Sequence, residues 1–184
     1  MAPLLRRGGG EVWRISIDSQ NLNNYEPAPF LLERAGGEAF MKLKIDTETL
    51  IEEFFDSTCL LGIVAPVKDY QFSWHINQAL GYHFKINHSL EIQLRKKDRN
   101  YFFSIYEYVV PGSTMVHYLY NNEDDGEYLL PEFKHLDYLW LAKGEEMEKD
   151  EVTVLVQSLR LLPAVQLVTE MTNEKIKNKQ FLIF

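Results

Sequence analysis

The chain has 184 residues, 46% hydrophobic and 25% charged, proportions that exclude wholesale disorder and give room for one domain that folds without metal or disulfide staples. Nineteen Lys and Arg against 27 Asp and Glu give a net charge of −8. The chain as a whole gains nothing from counterion release on a phosphate backbone, and nucleic acid is not an expected partner. No run approaches the roughly 18 to 20 apolar residues of a membrane-spanning helix. Arg6 and Arg7 are followed by Gly8, Gly9 and Gly10 rather than by the apolar region of an export signal, so a cytoplasmic protein without membrane association is expected.

Residues 1–40 hold five of the ten glycines and three of the seven prolines, and show no sustained period of 2 or 3.6. Within them only residues 12–17 alternate well enough for a short strand. A crisp alternation begins at Met41, so residues 1–40 are expected to be a disordered leader, or a stretch translated from a start codon assigned too early. Residues 41–184 then form the single domain.

Residues 41–46 read as a strand, and Thr47 or Asp46 can cap a short helix that places Leu50, Ile51, Phe54 and Phe55 on one face. Residues 58–65 are almost continuously apolar and stop at Pro66, the pattern of a strand covered on both faces. Cys59, the single cysteine, falls in this run and reads as a buried core thiol, with no neighbouring base to activate it. From Lys68 to Leu80 the apolar positions Phe72, Ile76, Ala79 and Leu80 recur at helical spacing, and Gly81 suits the C-terminal cap. The period then changes to two. Leu90, Ile92 and Leu94 alternate with polar residues, and the basic run Arg95, Lys96, Lys97 and Arg99, broken by Asp98, fits a solvated strand end or turn.

Residues 101–110 form a second strand rich in Tyr and Phe, ended by Pro111-Gly112-Ser113, and residues 115–120 form a third. The polar run 121–126 is a turn, and its acidic residues lack EF-hand spacing. A further strand covers 136–142. Strands this close in sequence are expected to pair as an antiparallel meander. Val152, Leu155, Val156, Leu159 and Leu162 follow helical spacing up to Pro163, although the β-branched residues at 152–156 leave a strand reading open. Residues 165–171 are the last alternating strand. The expected fold class is α+β: a mostly antiparallel sheet with two main helices packed on one face, in an element order compatible with ferredoxin-like or ACT-like connectivity.

The most distinctive segment is Leu130-Pro131-Glu132-Phe133-Lys134-His135-Leu136-Asp137-Tyr138. It resembles the signature of the bacterial IPExxxVDY family, with leucine in place of the isoleucine and of the valine. The resemblance extends from about Met41 to the C-terminus, supported by Lys68-Asp69-Tyr70 and Pro163-Ala164-Val165. The family has no assigned activity, so the resemblance implies a compact domain and supplies no catalytic residues.

Glu132, His135, Asp137 and Tyr138 could serve acid/base chemistry or bind a small ligand if they shared a cleft, joined by Asp69 and His75. In an extended segment, however, residues 132 and 137 point to opposite faces. The favoured alternative is structural: Pro131 fixes a turn, Glu132 accepts backbone N–H groups, and Asp137 and Tyr138 tie a loop to the sheet. Glu132, Asp137, Tyr138, Asp69 and His75 remain the binding candidates, and no residue is assigned to catalysis. The five histidines show no compact metal-ligand spacing, and no glycine-rich phosphate loop is present, so neither metal nor cofactor is expected.

Two functional expectations follow from this inventory. The first is a non-enzymatic interaction or regulatory module, acting on a protein partner or as a homodimer through an exposed aromatic sheet face that includes Tyr101, Tyr106 and Tyr108. The second is an enzyme or small-ligand binder using residues 130–138.

Overall fold

The run Cys59-Leu60-Leu61-Gly62-Ile63-Val64 is apolar throughout because this strand, β2 (Cys59–Val64), lies at the centre of three layers. The structure, a computed structural model, describes residues 13–18, 55, 58–96 and 98–182. The strand and most of the helix expected over 41–55 lie outside the described residues, as does the boundary at 41. Phe55 alone of that helix is described, and it is buried in the core.

The described strands before and after β2 are β1 (Trp13–Asp18), β3 (Lys85–Ile86), β4 (Leu90–Lys96), β5 (Arg99–Phe103), β6 (Ile105–Val109), β7 (Val116–Asn121), β8 (Glu123–Asp124), β9 (Glu127–Tyr128), β10 (Tyr138–Lys143) and β11 (Leu167–Glu170). Two helices accompany them, α1 (Asp69–Leu80) and α2 (Lys149–Arg160). The main sheet has six strands in the order β11-β2-β10-β7-β6-β3, with every pair antiparallel. A second sheet has the order β1-β4-β5, in which β1 is parallel to β4, and β8 and β9 form a separate hairpin. The chain is therefore α+β with mostly antiparallel sheet. Among the described residues no helix is long and apolar enough to cross a membrane.

Strand periodicity assigns the two faces of the main sheet. Leu61 and Ile63, Tyr138 and Trp140, Leu119 and Tyr106 point to one side. There they meet Phe72 and Ile76 of α1 and Val152, Leu155 and Leu159 of α2. Both helices thus cover the same face. Leu60, Leu139, Leu141, Tyr118, Tyr120 and Ile105 point to the other side and meet Ile92, Leu94, Tyr101 and Phe103 of the small sheet, with Ile176, Phe181 and Leu182 from the C-terminal segment. Gly62 has a steric reason in the middle of β2: a Cβ there would collide with Leu136 Cδ1.

The helices end where their sequences say. Gly81 takes φ 74° after α1, a left-handed conformation that glycine adopts without penalty. Leu161 and Leu162 turn the chain out of α2 ahead of Pro163, and Arg160 Nη2 donates to Val168 O at 2.9 Å, tying α2 to β11. Burial of Val152, Leu155 and Leu159 decides for helix over the strand reading left open by the β-branched residues.

Three expectations need correction. The single strand expected over 101–110 is two strands separated at Ser104, where the chain passes from the small sheet into the main one. The aromatic residues of this stretch do not form an exposed face: Tyr101 is 8% and Tyr106 7% exposed, and Tyr108 is half-buried. Helices cover one side of the main sheet and a second sheet the other, so these rings are core. Cys59 is half-buried at the start of β2 rather than enclosed, and burial, helped by Glu170, pushes its thiol up to about 11. It is therefore a weak nucleophile near neutral pH.

Candidate functional site

The segment 130–138 is built around Asn122, a fully buried side chain just beyond β7. Its Oδ1 accepts Leu130 N at 2.9 Å, and its Nδ2 donates to Phe133 O at 3.1 Å and Leu136 O at 2.8 Å. Pro131 opens a 3-10 turn over Pro131–Phe133, for which its fixed φ is suited, and Leu136 N closes the next turn onto Phe133 O at 2.9 Å. The loop is thereby wound round one amide, and the following residues enter β10 in register with β2.

Each distinctive side chain of the segment then engages backbone elsewhere. Glu132 Oε1 accepts Lys177 N at 2.8 Å and Asn178 N at 3.1 Å, while its Oε2 accepts Asn178 Nδ2 at 2.9 Å. Asp137 Oδ2 accepts Ala65 N at 2.7 Å. The Tyr138 hydroxyl donates to Val67 O, and its ring stacks on Phe72 with centroids 4.5 Å apart. Glu132 fastens the C-terminal segment and Asp137 with Tyr138 fastens the connection from β2 to α1. These are the backbone roles the structural alternative assigns to them.

Three of the five binding candidates come together. Asp69, Asp137 and Tyr138 line a cleft of about 640 Å³ between the start of α1 and the β8–β9 tip, where Glu123, Asp124 and Asp125 face them. Tyr106 donates to Asp69 Oδ2 at 3.2 Å; burial first, then the charge of Asp69 and that hydrogen bond, pushes its phenol up to about 12. Burial raises the Tyr138 phenol further, with Asp69 and Asp137 adding to it. Such phenols hold their protons and act as hydrogen-bond donors, not as bases. Glu132 lies outside the cleft with the C-terminal segment, His135 is exposed beside Phe133, and His75 sits on α1 against the Trp74 ring. The acid/base set considered from sequence does not assemble.

A larger concavity lies elsewhere. The C-terminal end of α1, the β6–β7 turn and the first turns of α2 enclose a groove of about 1050 Å³. Its floor is apolar and aromatic: Leu80, Tyr82, Met115, Met147 and Leu155, with His117 among them. Its rim carries Glu145, Glu146, Glu148, Asp150 and Glu151, and no Lys or Arg lines it. Gly144, at φ 108°, brings the chain so close to Thr114 that a Cβ would collide with the Thr114 carbonyl oxygen. That approach lets Glu145 Oε1 accept Ser113 Oγ at 2.7 Å, Thr114 N at 3.0 Å and Thr114 Oγ1 at 3.2 Å, bonds that hold its carboxyl below the ordinary range. Glu148 and Glu151 close the first turn of α2 as a capping box, with Glu148 N donating to Glu151 Oε2 at 3.0 Å. The carboxylates of Glu146 and Asp150 carry no hydrogen bond or ion pair among the described residues.

His117 is the buried polar residue of the groove, 5% exposed. Trp140 Nε1–H donates to its Nδ1 at 3.2 Å, and the rings of Tyr82, Tyr108 and Trp140 surround it at centroid distances of 5.2, 6.0 and 5.6 Å. An indole N–H can only donate, so Nδ1 is the acceptor and the ring proton sits on Nε2. Burial lowers the imidazole to about 4, which keeps it neutral near pH 7.

Sequence reasoning passed over both Asn122 and His117. Asn122 sits in a run of turn-forming residues where an amide is ordinarily solvated. His117 did leave a signal, a polar residue at the same strand parity as Leu119, which the helices cover. The fold and groove define an α+β protein with a concave surface beside its second helix. No protein-family model and no curated protein matches the chain.

Proposed function

We propose that the protein is a non-enzymatic interaction module of the cytoplasm, recognising a protein partner through the groove between α2, the end of α1 and the β6–β7 turn. One observation carries this reading. Glu132, Asp137 and Tyr138 of the segment 130–138 are spent on backbone, whereas the larger of the two concavities described above has an apolar floor and a one-signed rim with two unengaged carboxylates. Concave, largely apolar surfaces with a few polar groups are where binding concentrates.

The chain also reads as a divergent relative of the IPExxxVDY family. Pro131, Glu132, Asp137 and Tyr138, the residues that carry the resemblance, are those of the backbone latch, which supports a structural origin for such a signature. The strand order β11-β2-β10-β7, with α1 following β2 and α2 joining β10 to β11, supports ferredoxin-like connectivity in which β3 to β6 are an insertion. Fold alone assigns no function.

Val154 is 61% exposed on the groove, and Leu161, just past the end of the same helix, is 84% exposed and outside the groove. Tagged full-length protein should retain a stoichiometric partner from native cytoplasm in wild type and in the Leu161→Glu variant, and lose it in Val154→Glu. Equal retention by all three, or recovery of the bare protein from wild type, would overturn the proposal.

A further inference from the structure

His117 presents a hydrogen-bond donor to the groove. Its Nδ1 is taken by Trp140, its Nε2–H has no partner among the described residues, and the side chain lines the groove at 5% exposure. Among the described residues no side-chain nitrogen or oxygen is both fully enclosed and unpaired, so this neutral donor opens from the aromatic floor onto the groove, where a ligand carbonyl can accept it. The rim asks for the opposite charge. Capping of α2 accounts for Glu148 and Glu151, and the 113–114 turn for Glu145, but the carboxylates of Glu146 and Asp150 remain unengaged, and Lys149, next to Asp150, does not line the groove. Tyr82, edge-on to His117 and Trp140, adds an aromatic surface that attracts cations.

An acceptor and a cation on one ligand describe a peptide main chain bearing Lys or Arg. A polyamine offers the cation without the carbonyl, and a nucleic acid or phosphorylated ligand meets repulsion from the rim.

Deepening the proposed function, and resting on it, we infer that the groove binds an extended basic segment of a partner protein, with His117 Nε2–H donating to a main-chain carbonyl and Glu146 and Asp150 receiving a Lys or Arg side chain. The aromatic ring set fixes the donor in place, so the recognition geometry exists before the ligand arrives, which limits the ordering cost of binding.

The test uses full-length ¹⁵N-labelled protein and three probes taken to millimolar concentration: acetyl-Gly-Arg-Gly-amide, the same peptide with norleucine for arginine, and spermidine. The arginine peptide should shift the His117 Nε2 and Trp140 Nε1–H resonances in a saturable way. The norleucine peptide should bind about tenfold more weakly, and the double variant Glu146→Gln, Asp150→Asn should lose a similar factor for the arginine peptide. Spermidine should leave His117 Nε2 unmoved. Equal shifts from the norleucine peptide, a His117 shift from spermidine matching that from arginine, or no His117 response to the arginine peptide would each overturn the inference. If the partner captured by wild type is lost in Val154→Glu while the arginine peptide fails, the groove is a docking site of different chemistry; if both fail, the interaction reading falls with it.

Discussion

Replacing His117 by glutamine and lowering the pH tests whether the groove floor is built as described. In the native protein burial holds the imidazole at about 4, against 6.5 for the free side chain. Between those values the unfolded chain takes up a proton that the native ring refuses, so stability falls as pH drops through the window, by up to about 1.4 kcal/mol per pH unit. From about pH 7 to about pH 5 the loss integrates to about 2 kcal/mol. Glutamine cannot titrate, yet its Oε1 can accept Trp140 Nε1–H and spare the indole an unpaired donor. Carboxylates elsewhere titrate in both proteins and cancel in the comparison. Urea unfolding followed by tryptophan fluorescence at the two pH values should show wild type losing about 2 kcal/mol more than His117→Gln. Equal losses would refute the description of His117 as a buried neutral ring between Trp140, Tyr82 and Tyr108.

Glu132→Ala should free the amides of Lys177 and Asn178, raising their hydrogen-exchange rates and costing about 2 kcal/mol of stability, while the Tyr120 hydroxyl keeps its bond to Leu182 O at 3.1 Å. Unchanged protection at both amides would show that the carboxylate does not hold the C-terminal segment. Asn122→Ala removes three side-chain hydrogen bonds inside the 130–138 loop and should destabilise by about 3 kcal/mol in denaturant unfolding. A loss below about 1 kcal/mol would mean the loop does not depend on this amide.

Elements with their own punctuation were legible in the sequence. The helix ending at Gly81, the helix stopped ahead of Pro163, and the Ile92–Leu94 alternation carry local signals that tertiary contacts reinforce. The latch roles of Glu132, Asp137 and Tyr138 were the structural alternative the sequence offered, but the extended segment assumed in weighing them is a 3-10 turn over Pro131–Phe133, so local winding rather than strand parity separates 132 from 137. Coverage was not legible. Tyr101 and Tyr106 look alike on paper whether a strand face is wet or covered, and only the second sheet and the helices, assembled from distant sequence, decide it. The groove was hidden for the same reason: Tyr82, His117 and Asp150 lie far apart in sequence, and none belongs to a motif.

The passage of one length of chain through Ser104 into both sheets limits how the protein can vary. Asn121 N bonds Ser104 O at 2.9 Å, and on either side of this corner the side chains alternate between two different cores. One residue added between 99 and 109 would turn Tyr101 and Phe103, or Tyr106, out of the layer each fills, whichever end of the strand slipped. The tip at Asp125 and Gly126, both exposed and both at positive φ, bears no such constraint. Length variation between descendants of this chain should accumulate at that tip and spare the corner, leaving a fixed spacing as the mark by which distant kin can be aligned.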